Sequence, residues 1–260
     1  DVCLAGSDQI WNPEITSGFD RAYFLDFCGD EMVRASYAAS LGISILSPEE
    51  RQQVKAMLDG FDFISMREKT ATDLIAVIVN RDAETVLDPT LLLSPEQWIS
   101  KLEIGPYTGE KYIFVYTLYQ NPELDMIVNE ISEREHLKVI TLNKRKLYAA
   151  EQENAFLSGP IDFVRKIANA EYVVTNSFHG IAFSINFSKK FVGVLGGTRT
   201  SRVTDLLGLL QIPGRVISNY QSFTDGLPEI DYKKVKTILE KERAGSEDFL
   251  RRVLHRRCDI

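Results

Sequence analysis

The sequence predicts an α/β protein built on parallel sheets. Three observations carry that prediction. Short apolar, β-branched runs alternate with helical patterns along the 260 residues. Those runs end repeatedly in loops of glycine, serine and aspartate. Helix-start signals then follow the loops. Alternation of this kind lays helices on both faces of a parallel sheet.

The elements follow in order. Asp1-Val-Cys-Leu-Ala5 reads as a buried strand leading into the loop Gly6-Ser-Asp-Gln-Ile-Trp-Asn-Pro13. A strand already in mid-domain at residue 1 predicts an N-terminal lobe that is incomplete, short of one or more βα units at its start. Ala35-Ser-Tyr-Ala-Ala-Ser40 reads as a strand of small residues ended by Gly42. Ser47-Pro-Glu-Glu50 is a helix start, with serine as cap, proline at the first position and glutamate at the third. That helix is expected to reach Asp59 and stop at Gly60. Phe61–Met66 is the next strand and Glu68–Val77 the next helix. Thr85-Val-Leu87 is a short strand ending at Asp88-Pro89, and Ser94-Pro-Glu-Gln97 caps another helix.

Gly105-Pro106 and Gly109 mark a break, which predicts a first lobe over 1–105 and a second over 106–260. In the second lobe Tyr112–Leu118 is a strand, Pro122–Glu135 a helix and Leu137–Leu142 a strand. Residues 143–158 read as a polar loop. Ile161–Ala170 is a helix, Tyr172–Thr175 a strand and Ile181–Phe187 a helix. Lys190–Leu195 is a strand ending in Gly196-Gly197, and Ser201–Leu210 is a helix. Two terminal helices are expected, over 229–243 and 246–257. Two such series predict two Rossmann-like lobes facing one another.

Composition narrows the function. With 44% hydrophobic and 26% charged residues, the chain has the make-up of an ordinary globular protein. Lys+Arg 30 against Asp+Glu 37 leaves a net charge of −7, which excludes bulk affinity for nucleic acid. Cys3, Cys28 and Cys258 match no metal spacing and imply no disulfide framework, so a reducing cytoplasm is expected. No apolar run approaches the roughly 20 residues needed to span a bilayer. Arg251, Arg252, Arg256 and Arg257 form the one basic cluster. It reads either as a solvated helix face or as a peripheral contact with a membrane or acidic partner.

The most informative stretch is Glu171-Tyr-Val-Val-Thr-Asn-Ser-Phe-His-Gly180. A β-branched strand breaks at Asn176 and Ser177, which is helix-capping chemistry, and an apolar helix follows. His179 therefore falls in the first helical turn beyond a strand's carboxyl end, where ligands of open α/β sheets bind. First-turn amides favour a phosphate or carboxylate and disfavour protonation of a nearby imidazole. The competing reading is a histidine that merely packs or caps.

Five polar clusters sit at predicted strand ends: Gly6-Ser-Asp-Gln, Ser40 with Gly42, Ser65-Met-Arg-Glu68, Asp88-Pro89 and Ser177-Phe-His-Gly180. Together they offer a cation (Arg67), carboxylates (Asp8, Glu68), an imidazole and helix N-termini, a set suited to a compact anion. Arg67 has the fork that carboxylate and phosphate geometry prefers, although pairing with Glu68 on a helix surface competes. Asp88 equally reads as a turn residue. Gly196-Gly-Thr-Arg-Thr-Ser-Arg202 adds Arg199 and Arg202 beside a helix start. The lysine of a P-loop and the GxGxxG pattern are both missing, so neither ATP nor a dinucleotide is indicated.

Gly6-Ser-Asp-Gln-Ile-Trp-Asn-Pro13, Ser36-Tyr-Ala-Ala-Ser-Leu-Gly42, Ser65-Met-Arg-Glu68, Leu87-Asp-Pro89 and Thr175-Asn-Ser-Phe-His-Gly180, in this order, resemble the polysaccharide pyruvyl transferase family. The resemblance runs from residue 1 to about 210 and rests on the order of the blocks more than on any one of them. It implies a two-lobed, GT-B-like fold. It also implies phosphoenolpyruvate as donor and a sugar of a cell-surface polysaccharide, lipid-linked precursor or glycan as acceptor; no metal and no separate cofactor is expected, since the arginines can neutralise the donor. The Asn-x-Gly-Asp-type motif expected near the family's start is absent from this sequence, in keeping with an incomplete first lobe.

Carried onto this chain, the family pattern makes His179 the catalytic acid/base and puts Arg67 on the donor's carboxylate or phosphate. Arg199, Arg202 and the amides around Ser177 are expected to assist, with Gly6, Ser7, Asp8 and Glu68 completing the substrate-binding set. Trp11 and Tyr37 either stack on a sugar ring or are buried. The alternatives are a GT-B glycosyltransferase using a nucleotide sugar, and a non-catalytic module that binds a glycan or anion. A cytoplasmic protein is expected, either free or in peripheral contact with the inner face of the membrane.

Overall fold

The computed structural model describes residues 1–142, 151–154, 159–196 and 200–255. In chain order the elements are β1 (Val2–Ala5), β2 (Val33–Ser36), α1 (Pro48–Leu58), β3 (Ser65–Met66), α2 (Lys69–Val79), β4 (Glu84–Thr85) and α3 (Pro95–Lys101). There follow β5 (Tyr112–Tyr116), α4 (Pro122–Glu135), β6 (Lys138–Thr141), β7 (Glu151–Asn154), α5 (Pro160–Asn169), β8 (Tyr172–Thr175) and α6 (Phe178–Asn186). The last are β9 (Lys190–Val194), α7 (Ser201–Leu209), β10 (Val216–Ile217), α8 (Tyr220–Thr224) and α9 (Tyr232–His255).

The chain divides into two compact units. The first holds Asp1–Leu92 with the described residues of Thr198–Leu210 and Lys234–Ile260; the second holds Leu93–Gly197 and Gln211–Lys233, again as far as described. The glycine and proline signals near 105 therefore do not coincide with this division, which falls at Leu92/Leu93. Two later segments also rejoin the first unit, a return that no local break can announce.

In the first unit β1 pairs with β2 and β3 with β4, all parallel. Isolated parallel bridges from Ala35 to Phe63 and from Ala39 to Met66 join the two pairs. The expected strand over Phe61–Met66 is thus reduced to Ser65–Met66 plus the bridge at Phe63. One core, containing Trp11, Val54, Leu58, Met66 and Ile75, packs under α1 and α2. A second, with Tyr37, Val86, Phe249 and Val253, packs under α9.

That last helix corrects an expectation. Where two terminal helices are predicted, the structure has one of 24 residues. Val235, Leu239, Ser246, Phe249 and Val253 are its buried positions, so a single stripe runs through Gly245. Burying that stripe outweighs the roughly 1 kcal/mol a mid-helix glycine costs. Ser246 adds a tie: its hydroxyl donates to the Glu242 carbonyl at 2.8 Å and accepts the Leu87 N–H at 2.9 Å.

One further expectation is overturned, and one open alternative is decided. Cys3 and Cys28 form a disulfide across a separation of 25 residues. The loop between them folds back, which spacing alone does not reveal. Trp11 and Tyr37 are core residues and do not present a ring to a sugar. Trp11 is fully buried, stacked on Phe24 at 5.1 Å, and its indole N–H donates to the Tyr23 carbonyl at 3.0 Å. The Tyr37 hydroxyl donates to the Leu87 carbonyl at 2.9 Å.

In the second unit the described strands make one parallel sheet in the order β10-β9-β8-β5-β6-β7. Alternate side chains serve opposite faces. Ile113, Val115, Val174 and Val192 pack with Ile127 and Ile131 of α4. On the other face Phe163 of α5 meets Phe114 at 6.1 Å and Phe183 of α6 at 5.8 Å. Burial on both faces is why β8 reads as an unbroken β-branched run.

Candidate active site

In the second unit the candidate residues follow the carboxyl end of β8. Neutral hydrogen bonds fasten this junction. The Thr175 hydroxyl donates to the Tyr116 carbonyl at 2.6 Å and accepts the Ser177 N–H at 3.1 Å. Asn176 accepts the Leu118 N–H at 2.7 Å and donates to the Tyr119 carbonyl at 2.8 Å, tying the loop after β5 to the loop after β8. Ser177 is the N-cap of α6, its hydroxyl accepting the Gly180 N–H at 3.5 Å. Gly180 must be glycine, because a Cβ there would lie 2.4 Å from the Thr175 hydroxyl and 3.0 Å from its Cβ. His179 is the second residue of α6 and partly exposed, its ring 5.4 Å from that of Phe178 in an edge contact. Helix polarity at that position favours an anion.

In the first unit four of the five polar clusters meet at the carboxyl ends of β1 to β4. Arg67, its side chain 2% exposed, lies at the centre. It donates to Asp88 at 2.7 Å and to Asp8 at 3.3 Å, while Glu68 lies 4.0 Å from its Nε. Ser7 donates to the same Asp88 oxygen at 3.0 Å. The other Asp88 oxygen accepts the N–H and hydroxyl of Thr90, so Asp88 is both a turn residue and the buried counter-ion of Arg67. Glu68 accepts from the Ser40 hydroxyl at 2.8 Å and the Gly42 N–H at 3.1 Å. Burial pushes its carboxyl above the usual range, opposed by Arg67, by these two hydrogen bonds and by the charge of Arg202 at the start of α7.

Asp8 is the open member of this cluster. Its side chain is 58% exposed and its backbone sits at φ +81°, a region disfavoured for a side chain at about 1–3 kcal/mol. Its carbonyl accepts the Ser40 N–H at 3.0 Å and its carboxylate a single Arg67 N–H at 3.3 Å, contacts that hold the strained conformation. Gly42, at φ +66°, has Gln9 and Asn12 where a Cβ would stand.

Of the residues singled out from sequence, Gly6, Ser7, Asp8, Arg67, Glu68 and Arg202 belong to the first unit, and Ser177 and His179 to the second. Arg199 lies outside the described residues, as do Arg256 and Arg257. Arg67 is enclosed by carboxylates, chiefly Asp88 rather than its sequence neighbour Glu68. In this state its guanidinium orders two acidic loops. The clusters at Ser40, Gly42 and Asn176 are visible in the sequence, but not that the first two are ligands of Glu68 and the third a clamp on residues 118–119. Arg251 and Arg252 are paired on the helix surface, with Glu247 at 3.5 Å and with Asp248 and Glu84 at 3.1 and 2.6 Å. Among the described residues no helix is long and apolar enough to cross a membrane.

This is an α/β architecture of two Rossmann-like units on parallel sheets, GT-B-like in class. Solved structures that share it include three enzymes. UDP-GlcNAc 2-epimerase from Neisseria meningitidis, bound to UDP-GlcNAc, superposes with a TM-score of 0.58 at 10% identity, over 98% of this chain and 76% of that one. A trehalose-6-phosphate synthase gives 0.53 at 8% identity, over 90% and 74%. A wall teichoic acid polymerase gives 0.50 at 9%, over 88% and 69%. Identities so low speak to the fold alone. No curated protein matches the sequence. The family model for polysaccharide pyruvyl transferase matches residues 1–196, and the chain belongs to that family.

Proposed function

We propose that the protein transfers the pyruvyl group of phosphoenolpyruvate to two hydroxyls of one sugar, in a cell-surface polysaccharide or its lipid-linked precursor, forming a ketal. Family membership supports the reaction class. The observation that carries the assignment of the catalytic group is the place of His179, partly exposed in the first turn of a helix that follows a parallel strand.

The chemistry is balanced as follows. The methylene carbon of the enol phosphate gains a proton from His179, and a sugar hydroxyl bonds to the adjacent carbon, returning its proton to the imidazole. The carbon–oxygen bond to phosphate then breaks and inorganic phosphate leaves with the electron pair. The second hydroxyl adds at the same carbon, its proton leaving with phosphate. A positioned acid/base of this kind contributes about 10²–10⁴ in rate. Arg199, Arg202 and the amides near Ser177 are proposed to meet the donor's negative charge. Arg67 is proposed to hold Asp8 so that its open carboxylate orients acceptor hydroxyls. Glu68, Ser7 and Gly6 shape the same loops. No metal or separate cofactor enters this reading.

The deciding experiment incubates the protein with phosphoenolpyruvate and candidate acceptor glycans. Product mass and released phosphate are then measured. Ketal product with equimolar phosphate is expected; phosphate release without a modified glycan would defeat the proposal. The fold likeness to enzymes of nucleotide sugars favours one second reading, a nucleotide-sugar glycosyltransferase. Thermal stabilisation by UDP-sugars and not by phosphoenolpyruvate would select it. A cytoplasmic location is also proposed, against which stands the Cys3–Cys28 bond. Cell fractionation decides the matter: recovery in the cytoplasmic fraction is expected, and recovery outside the inner membrane would refute the location.

A further inference from the structure

At the opposite edge of the second unit's sheet lies a cavity of about 670 Å³, a size that holds one small molecule. Tyr172 and Lys190 open β8 and β9, Arg215 immediately precedes β10, and all three line it. His179 follows the other end of β8. The length of the strand therefore separates the cavity from the candidate acid/base.

Its charges are unequally satisfied. Arg134 is held by Glu130 and Glu135 at 3.3 and 3.4 Å, and Lys190 by Glu171 at 3.6 Å. Arg215 is different. It is only 7% exposed, and its guanidinium donates to the carbonyls of Pro228, at 3.1 Å, and Phe191 while lying over the Phe191 ring at 5.4 Å. Among the described residues no carboxylate pairs with it, and its Nε has no hydrogen-bond partner. The hydroxyl of Ser188, on the wall of the same cavity, is also buried without a partner. Beside it, Lys189 donates to the Ala170 carbonyl at 3.0 Å and, among the described residues, forms no ion pair, although the charge of Glu171 reaches it. Burial lowers the pKa of that amine, as expected of a desolvated cation.

Carbonyl oxygens solvate a buried cation but do not neutralise it, so a site of this kind favours an anion. We propose that this cavity binds a small organic anion, its carboxylate or phosphoryl head taken by Arg215 and Lys189 with Ser188 as a further donor. The rings of Tyr172, Phe223 and Tyr232, which also line the cavity, bound the rest of the molecule.

The test is calorimetric titration of the protein with pyruvate, inorganic phosphate and glucose 1-phosphate, which separates a carboxylate head from a phosphoryl one. Arg215→Met risks unfolding the unit, because it strips two buried carbonyls of their donor. Lys189→Met and Thr224→Trp therefore carry the decision, the latter filling the cavity from an exposed lining position. At least one anion is expected to bind, about tenfold or more weakly in Lys189→Met, not at all in Thr224→Trp, and unchanged in His179→Ala. Binding by none of the three anions would overturn the assignment. So would binding that survives both Lys189→Met and Thr224→Trp, or that is lost in His179→Ala.

Discussion

The two units place polar residues at the same topological point, the carboxyl ends of parallel strands, yet fasten them by different physics. In the second unit the loop before His179 is held by neutral bonds of Thr175, Asn176 and Ser177 and by the close approach of Gly180 to Thr175. In the first unit the loops after β1, β3 and β4 are held by buried charge, with Arg67 between Asp88 and Asp8. Neutral fastening holds its loop without a buried ion. Charged fastening makes the loops depend on every partner remaining in place, since a buried ion that loses its counter-ion has no water to replace it.

The sharpest way to break this comparison is to remove the chemistry without the fastening. His179→Ala is expected to lower pyruvyl transfer by about 10²–10⁴ while the unfolding midpoint stays near wild type. Near wild-type turnover would remove the proposed acid/base. Next comes the charged fastening. Asp88→Ala leaves Arg67 buried without its nearest counter-ion and is expected to cost about 3–5 kcal/mol in urea unfolding. A loss under about 1 kcal/mol would show that surface-like screening reaches the cluster. The neutral fastening is tested by Gly180→Ala, which drives a methyl into Thr175 and should cost about 1–3 kcal/mol. Turnover should fall with it as α6 and His179 shift; an unchanged midpoint would show the junction to be slack.

The smallest effect concerns pH. Burial raises the folded pKa of Glu68 above its ordinary 4.5. The folded state thus holds the proton more tightly than the unfolded state. The stabilising contribution is complete below the ordinary value and declines as pH rises through the raised one. Glu68→Gln should flatten this part of the stability profile as pH rises above the ordinary 4.5. Urea midpoints of wild type and variant that run parallel across that range would show that Arg67 and Arg202 cancel the burial.

Legibility follows the range of the interaction. Ser47 and Ser94 announce their helices within four residues, and both capping boxes are present as read. The strand, break and helix around His179 are equally local, and so was its place in the first turn. The partners of Arg67 were not legible, because Asp8 and Asp88 stand 59 and 21 residues away. A pattern can mark a residue as lying at a strand end, but it cannot say which other strand ends arrive beside it. Trp11 shows the same limit: an aromatic in a polar loop reads equally as a platform or a core residue, and only packing against Phe24 and Phe61 decides.

The sequence alone determined the α/β class, the order of most strands and helices, the capped starts, and the position of one histidine in a helical turn. All of these rest on periodicity and on hydrogen bonds among near neighbours. Tertiary structure decided the rest: the return of α7 and most of α9 to the first unit, the Cys3–Cys28 bond, the enclosure of Arg67 by carboxylates and the buried Arg215, which pairs with no carboxylate among the described residues. Each depends on contacts between distant segments, whose free energy is collected only when the whole unit packs and water is excluded.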